Sequence, residues 1–331
     1  MAVAIAPDGH LAVSGSSDQT LKVWDLTINS QPGNFSGHAN WVRAVAIAPN
    51  EQFAISGSAD HTLKIWDLAT GRELKTLVGH ENWVRSVAIT PNGQMALSGS
   101  IDKTLKLWDL SSGKECGTLT GHTSTVNGVA IAPDGSTAVS ASFDRTLKVW
   151  DLTSCSELNT LRGHSGDVWA VAIAPDGLKG ISASSDKTLK LWDLATGTEL
   201  LTFTGHTDYV TAVAITPDGK KVISGSVDKT LKLWDLASGK ELCTLTGHAD
   251  YINAVAITKD GQKVISAAYD NTLKVWDIES RQAIASFVGD GALFCCAVAP
   301  DGVTIVAGEA SGRLHFLRLE SIDKLTQRSP H

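Results

Sequence analysis

Seven Trp-Asp pairs recur in this chain, each 42 residues after the last: Trp24-Asp25, Trp66-Asp67, Trp108-Asp109, Trp150-Asp151, Trp192-Asp193, Trp234-Asp235 and Trp276-Asp277. Six Gly-His pairs keep the same interval, from Gly37-His38 to Gly247-His248. A fixed period of this length means one supersecondary unit copied in tandem, which overrides the two-domain expectation that 331 residues would otherwise set. In the unit from Gly79 to Gly121, Val84 to Ile89 is an apolar run of strand length, Pro91-Asn92-Gly93 is a hairpin turn, and Met95 to Gly99 is a second strand. Thr104 to Trp108 is a third strand, Ser112-Gly113 turns the chain again, and Glu115 to Leu119 is a fourth. The unit has no helical periodicity.

Four short strands, a to d, cannot bury both faces alone, but units stacked in a ring can, and closure leaves only short edges. The predicted class is therefore all-β: a β-propeller of four-stranded antiparallel blades. Eight a–b–c sets are present, the last running from Phe294 to Leu319, and eight blades are favoured. The expected units lie near 1–36, 37–78, 79–120, 121–162, 163–204, 205–246, 247–288 and 289–320, forming one domain over 1–320. Residues 321–331 are expected to be a tail, either a poor outer strand or disordered. The alternative is seven blades, with a strand d near Asn34-Phe35 clasping the last blade and residues 1–26 left as a remnant outside the ring. That would expose Trp24 and two apolar strands, a loss of many kcal/mol at about 25 cal/mol per Å². The chain begins inside a strand a with no preceding Gly-His, so further sequence upstream is expected.

Composition narrows the class of function. Apolar residues make up 43% and charged residues 19%, which suits an ordered, soluble protein. A net charge of −7 gives no general attraction to nucleic acid or anionic membrane. No apolar run approaches the roughly 18 residues of a membrane span, and the N-terminus lacks the basic region of a secretory signal. Cys116, Cys155 and Cys243 are isolated and Cys295-Cys296 are adjacent, so no metal or redox spacing exists. Free thiols without a signal point to the cytoplasm.

His, Ser, Asp and Trp recur at fixed offsets in six units: His38/Ser56/Asp60/Trp66, His80/Ser98/Asp102/Trp108, His122/Ser140/Asp144/Trp150, His164/Ser182/Asp186/Trp192, His206/Ser224/Asp228/Trp234 and His248/Ser266/Asp270/Trp276. Ser, His and Asp together suggest nucleophilic catalysis. An active site appears once, however, whereas this set appears six times, and no Gly-x-Ser-x-Gly elbow exposes a serine. The Trp-Asp and Gly-His pairs, with turns such as Pro133-Asp134-Gly135, resemble the WD-repeat β-propeller family, in its bacterial branch, over essentially the whole chain. The resemblance implies that each set is a structural hydrogen-bond chain from the Trp indole through Ser and His to Asp, tying strands b and c to the d–a loop. Near-identical tandem copies also resemble the C-terminal sensor regions of NB-ARC-type signalling ATPases, which implies association with an upstream signalling ATPase or kinase.

The last unit departs from the pattern: Asp290, Ala307, Ser311 and Leu317 stand at the four positions, with one residue deleted. This reads as an atypical cap; a site built from Asp290, Cys295 and Cys296 is the minor alternative. No phosphate-binding loop occurs, since Gly113-Lys114 and Gly239-Lys240 are each followed by Glu. Histidines 42 residues apart give no local zinc spacing. No cofactor is expected. The recurring Lys of Thr-Leu-Lys (Lys22, Lys64, Lys106 and onward) is expected to lay its stem along the blade with its amine in water.

Connectivity places the start of strand a, the end of b and the d–a loop at one rim. Two residues near the start of strand a vary between copies: Trp41/Arg43, Trp83/Arg85, Thr125/Asn127, Asp167/Trp169, Tyr209/Thr211 and Tyr251/Asn253. So does the residue before the loop Asp: Ser17, Ala59, Ile101, Phe143, Ser185, Val227 and Tyr269. These positions hold all three tyrosines and every tryptophan outside the Trp-Asp pairs. Trp, Tyr and Arg dominate binding hot spots, so this rim is the expected surface for a protein or peptide partner, as the resemblance also implies. Against this, Trp41 and Trp83 share strand parity with Val45 and Val87 and on that count would extend inter-blade packing. A small-ligand or glycan-binding propeller would instead repeat the same pocket in each blade. With only Arg43 and Arg85 counted as rim cations, nucleic-acid binding ranks below both.

Overall fold

The computed structural model describes residues 2–5, 11–15, 20–25, 33–36, 39–40, 42–49, 52–67, 73–289, 291–298, 304–309 and 314–318. Among them every regular element is a strand. Each 42-residue unit folds into one antiparallel sheet whose strands pair in chain order. In the third sheet these are strand a, Val84–Ile89, strand b, Met95–Ser100, strand c, Leu105–Asp109, and strand d, Lys114–Leu119. The a–b turn forms because Gly93 takes a φ of +71° and its amide returns to Thr90 O at 2.8 Å, a conformation that a side chain disfavours.

Six consecutive four-stranded sheets run from Val42–Ile47 to Gln282–Val288. Before them Ala2–Ile5, Leu11–Gly15, Thr20–Asp25 and Gly33–Ser36 pair in the same order, and after them Leu293–Val298, Thr304–Glu309 and Leu314–Arg318 form a three-stranded sheet. Leu21 stands opposite Phe35, so the Asn34-Phe35 strand belongs to its own sheet and does not clasp the last one. Each strand a lies beside the next in chain order, and Leu293–Val298 also lies beside Ala2–Ile5. Asp290, Ser311 and the tail from residue 321 fall outside the described residues, as do His38 and Trp41.

The core lies between sheets rather than within any one. Leu97, Leu105, Leu107 and Leu119 from one sheet pack on Val126, Ala138, Trp150 and Leu152 from the next. The same positions meet one unit later, where Val139, Leu147, Val149 and Leu161 pack on Val168, Trp192 and Leu194. The five interfaces from the second sheet to the seventh each bury a tryptophan of the Trp-Asp pair, Trp108, Trp150, Trp192, Trp234 and Trp276, so each of these units completes its core with a neighbour. No helix among the described residues is long and apolar enough to cross a membrane.

Candidate functional site

The recurring polar set forms a continuous chain of hydrogen bonds. The Trp108 indole N–H donates to Ser98 Oγ at 2.9 Å, Ser98 Oγ meets His80 Nε2 at 2.7 Å, and His80 Nδ1 lies 2.6 Å from Asp102 Oδ2. The carboxylate can only accept, so His80 Nδ1 carries a proton toward Asp102. Asp102 also accepts from the amides of Glu81 and Thr104 and from the Thr104 hydroxyl, which ties the d–a loop to the b–c loop. The same bonds link Trp150, Ser140, His122 and Asp144 in the fourth sheet, and Trp192, Ser182, His164 and Asp186 in the fifth. They recur through Trp234, Ser224, His206 and Asp228, and through Trp276, Ser266, His248 and Asp270. In the second unit Trp66 reaches Ser56 at 2.8 Å and Asp60 accepts from the Ala39 amide.

Burial alone would raise the Asp102 pKa, but hydrogen bonds from His80 and Thr104, with attraction to His80, outweigh it and hold the carboxyl far below the usual range. Asp144, Asp186 and Asp228 are held down the same way. The serines among the candidate residues are not surface groups. Ser56, Ser98, Ser140, Ser182, Ser224 and Ser266 are all 0% exposed, because each lies under the tryptophan whose indole it accepts. Ser140, Ser182 and Ser224 therefore belong to the interior, and none of the six hydroxyls lies open to a substrate or a partner.

The rim residues owe their position to a repeated irregularity. In strand a of the third sheet, Val84 pairs with Ser100 and Ser86 with Gly99, so Arg85 has no cross-strand partner and is the extra residue of a β-bulge. The same register shift isolates Arg43, Asn127, Trp169, Thr211, Asn253 and Phe294. The bulge also breaks the alternation of the strand. Val84 and Val87 both pack in the inter-sheet core, while Trp83 is not part of it, so the parity that grouped Trp83 with Val87 does not hold.

The off-ladder side chains link one strand a to the next. Arg85 donates through Nε and Nη2 to Asn127 Oδ1 at 3.1 and 2.7 Å, and Asn127 Nδ2 donates to Trp169 O at 2.8 Å. Thr211 donates to Ile252 O and Asn253 to Leu293 O. The Arg43 guanidinium lies 5.4 Å from the centre of the Trp83 ring. Burial lowers the pKa of both arginines; repulsion from Arg43 lowers Arg85 further, whereas Tyr269 raises Arg43. The three groups therefore share one electrostatic neighbourhood.

Around this inner ring, backbone bonds join each strand-a start to its own b–c loop: Ile101 to Trp83, Phe143 to Thr125, Ser185 to Asp167, Val227 to Tyr209 and Tyr269 to Tyr251. Phe143 packs on Trp169 of the next sheet at 5.0 Å, and Tyr251 on Tyr269 at 6.0 Å. Tyr209, Tyr251 and Tyr269 are 46%, 45% and 46% exposed. Trp83, Arg85, Ile101, Asn127, Phe143, Asp167, Trp169, Val227 and Asn253 are half-buried, whereas Ala59 is buried.

Two expectations need correction. The Thr-Leu-Lys amine does not sit in water: Lys148 is 6% exposed, with Nζ 2.6 Å from Glu157 Oε2 and 2.7 Å from Thr160 Oγ1. Equivalent contacts hold Lys64, Lys106, Lys190 and Lys232. The rim also carries more cations than Arg43 and Arg85. Lys103, Arg145, Lys187 and Lys229, each just after the loop Asp, are exposed and take a φ between 71° and 74°. Their offset from Asp102, Asp144, Asp186 and Asp228 was the signal in the sequence. Clefts of about 390 and 240 Å³ lie at the opposite rim, near Met95, Leu110 and Leu152, away from this ring. No group of residues suited to a metal ion occurs among the described residues.

Comparison with known proteins agrees with this architecture. The family model for the WD domain, G-beta repeat, matches residues 1–25, 29–67, 71–109, 113–151, 155–193 and 197–235. A model of the TEP-1 C-terminal beta-propeller matches residues 248–319. A 44-residue stretch is 41% identical to the probable serine/threonine-protein kinase PkwA of Thermomonospora curvata, covering 13% of this chain and 6% of that protein. With the repeat matched over most of its length and each copy folded as a four-stranded sheet, the chain belongs to the WD domain, G-beta repeat family.

Proposed function

We propose that the chain is a non-catalytic scaffold or sensor that captures a protein or peptide partner on the rim built from strand-a bulges and b–c loops. One observation carries this reading. The residue that the bulge releases from the ladder differs from copy to copy, as do its loop neighbours: Arg43, Arg85, Asn127, Trp169, Thr211 and Asn253 occupy the one position. An off-ladder residue can change without disturbing strand pairing, so variation there serves recognition at little structural cost. The six polar sets act as fold-bearing hydrogen-bond chains, a role supported by their repetition and burial. A ligand pocket repeated in each sheet fits less well, since Arg43, Arg85, Asn127, Trp169, Thr211 and Asn253 offer differing chemistry.

The domain in this proposal is one ring of eight sheets over residues 1–320, supported by Leu293–Val298 lying against both Ile252–Ile257 and Ala2–Ile5. A cytoplasmic location is supported by the free thiols of Cys116, Cys155 and Cys243. Association with a signalling kinase or ATPase is supported by the kinase relative, whose match is about one repeat long.

Replacing Trp83, Arg85 and Tyr209 together by Ala tests the reading. Partner capture by the immobilised full chain should be lost while the melting temperature stays within a few degrees. Trp108→Ala should do the reverse, lowering the melting temperature sharply. A triple variant that melts early yet captures normally refutes the proposal.

A further inference from the structure

The lower rim, opposite the variable mouth, carries a second difference between copies. In the fifth, sixth and seventh sheets the first residue of strand b is a lysine standing opposite the aspartate of the Trp-Asp pair: Lys179 opposite Asp193, Lys221 opposite Asp235 and Lys263 opposite Asp277. Directly opposed residues of an antiparallel pair share a face with Cβ atoms about 5 Å apart, so each lysine has a neighbour of opposite charge. In the first four sheets the same register position holds Leu11, Phe53, Met95 and Thr137, none of them charged.

The third sheet shows what this exchange leaves behind. Met95 and the opposed Asp109 both line the cleft of about 390 Å³, together with Phe53, Leu110 and Ser111. Phe53, Met95 and Leu110 give the cleft apolar walls, and among the described residues Asp109 is the one charged group of its lining. Asp109 Oδ1 accepts from the Ser111 hydroxyl and from the amide and hydroxyl of Ser112, at 2.7, 2.6 and 2.7 Å. These bonds, that of the Ser112 hydroxyl foremost, hold the carboxyl at about 2, so it is ionised at neutral pH. Among the described residues Oδ2 accepts no hydrogen bond and Asp109 forms no ion pair. Lys75 of the second sheet reaches the same turn and adds to the attraction, but its amine is held by the carbonyls of Leu110, at 3.3 Å, and Ser111.

An ionised carboxylate at an apolar cleft suits a side chain with a long aliphatic stem and a cationic tip. The later sheets place that very side chain, lysine, against the matching aspartate. We propose that the cleft is a second binding site, separate from the variable rim, for a lysine side chain of a protein partner. The stem lies along Phe53, Met95 and Leu110, and the ammonium meets Asp109 Oδ2.

Selection of a displayed random-peptide library on the full chain, counter-selected on Met95→Lys, tests this. That variant gives the third sheet the residue that three other sheets already carry at this register, so its melting temperature should stay within a few degrees. Recovered peptides should be enriched in Lys, and synthetic copies should bind at least about tenfold more weakly to Met95→Lys and to Asp109→Asn. Copies with norleucine in place of the lysine keep the stem without the charge and should lose affinity by a similar factor, a readout that stands even if Asp109→Asn melts early. Tyr209→Ala/Tyr251→Ala, at the other rim, should leave binding unchanged. Peptides without Lys enrichment, peptides indifferent to norleucine, or recovery of none that distinguish the natural chain from Met95→Lys overturn the site. Peptides lost only with Tyr209→Ala/Tyr251→Ala overturn it too, and leave the rim reading intact.

Discussion

Replacing Ser98 by Ala should destabilise the protein by an amount that the geometry allows to be worked out. Ser98 Oγ is fully buried, accepts from Trp108 Nε1 at 2.9 Å and meets His80 Nε2 at 2.7 Å. The methyl group leaves two buried polar atoms stranded, each costing about 1–3 kcal/mol, so a loss of about 2–6 kcal/mol is expected. For a chain of 331 residues unfolding entropy is about 0.7 kcal/mol per degree, and a loss of about 3 kcal/mol lowers the melting temperature by about 4 °C. Trp108→Phe combined with Ser98→Ala removes the indole donor that the single change strands. The double variant should therefore fall short of the summed effects by about 1 kcal/mol or more. Circular dichroism melts of the four proteins complete the cycle. If Ser98→Ala costs no more than the exposed Ser112→Ala, or the two changes simply add, the chain from Trp108 to Asp102 is not a stabilising unit.

Other outcomes follow from the same geometry. Asp102, Asp144, Asp186 and Asp228 bind protons less readily folded than unfolded, so their stabilisation is whole at neutral pH and fades as pH falls below about 3.9. Burial, against the pull of Asp270, lowers the pKa of His248, so a gentler loss begins as pH falls below about 6.5; urea midpoints that rise between pH 6.5 and pH 3 refute both. Glu157→Ala strands the buried Lys148 amine and should cost about 1–2 kcal/mol, whereas Lys148→Met should cost less, as urea unfolding would show.

The strands were legible because a 42-residue period fixes their phase: once one Trp-Asp pair is placed on strand c, every other element follows by addition. The bulges were not read, because a one-residue register shift changes no residue type. Their trace is nonetheless present. Val84 and Val87 are three apart, as are Val126 and Val129, and Val168 and Val171, a spacing that strict alternation cannot put on one face. The lysine contacts were missed for a similar reason. Lys148, Glu157 and Thr160 lie on strands c and d, and only comparison of copies shows that 9 and 12 residues separate them each time. Of the rim, Tyr209, Tyr251 and Tyr269 stand where connectivity put them, while Trp41 lies outside the described residues.

Because the inter-sheet cores from the second to the seventh sheet reuse the same positions, each of these units presents its neighbour with nearly the same apolar face. Unequal recombination between copies of the underlying gene would thus shuffle whole blades without unpicking their packing. What such an exchange alters is the order in which cationic, amide and aromatic groups follow one another around the opening. A single such exchange would reorder those groups while leaving the packing of the exchanged blades as it was.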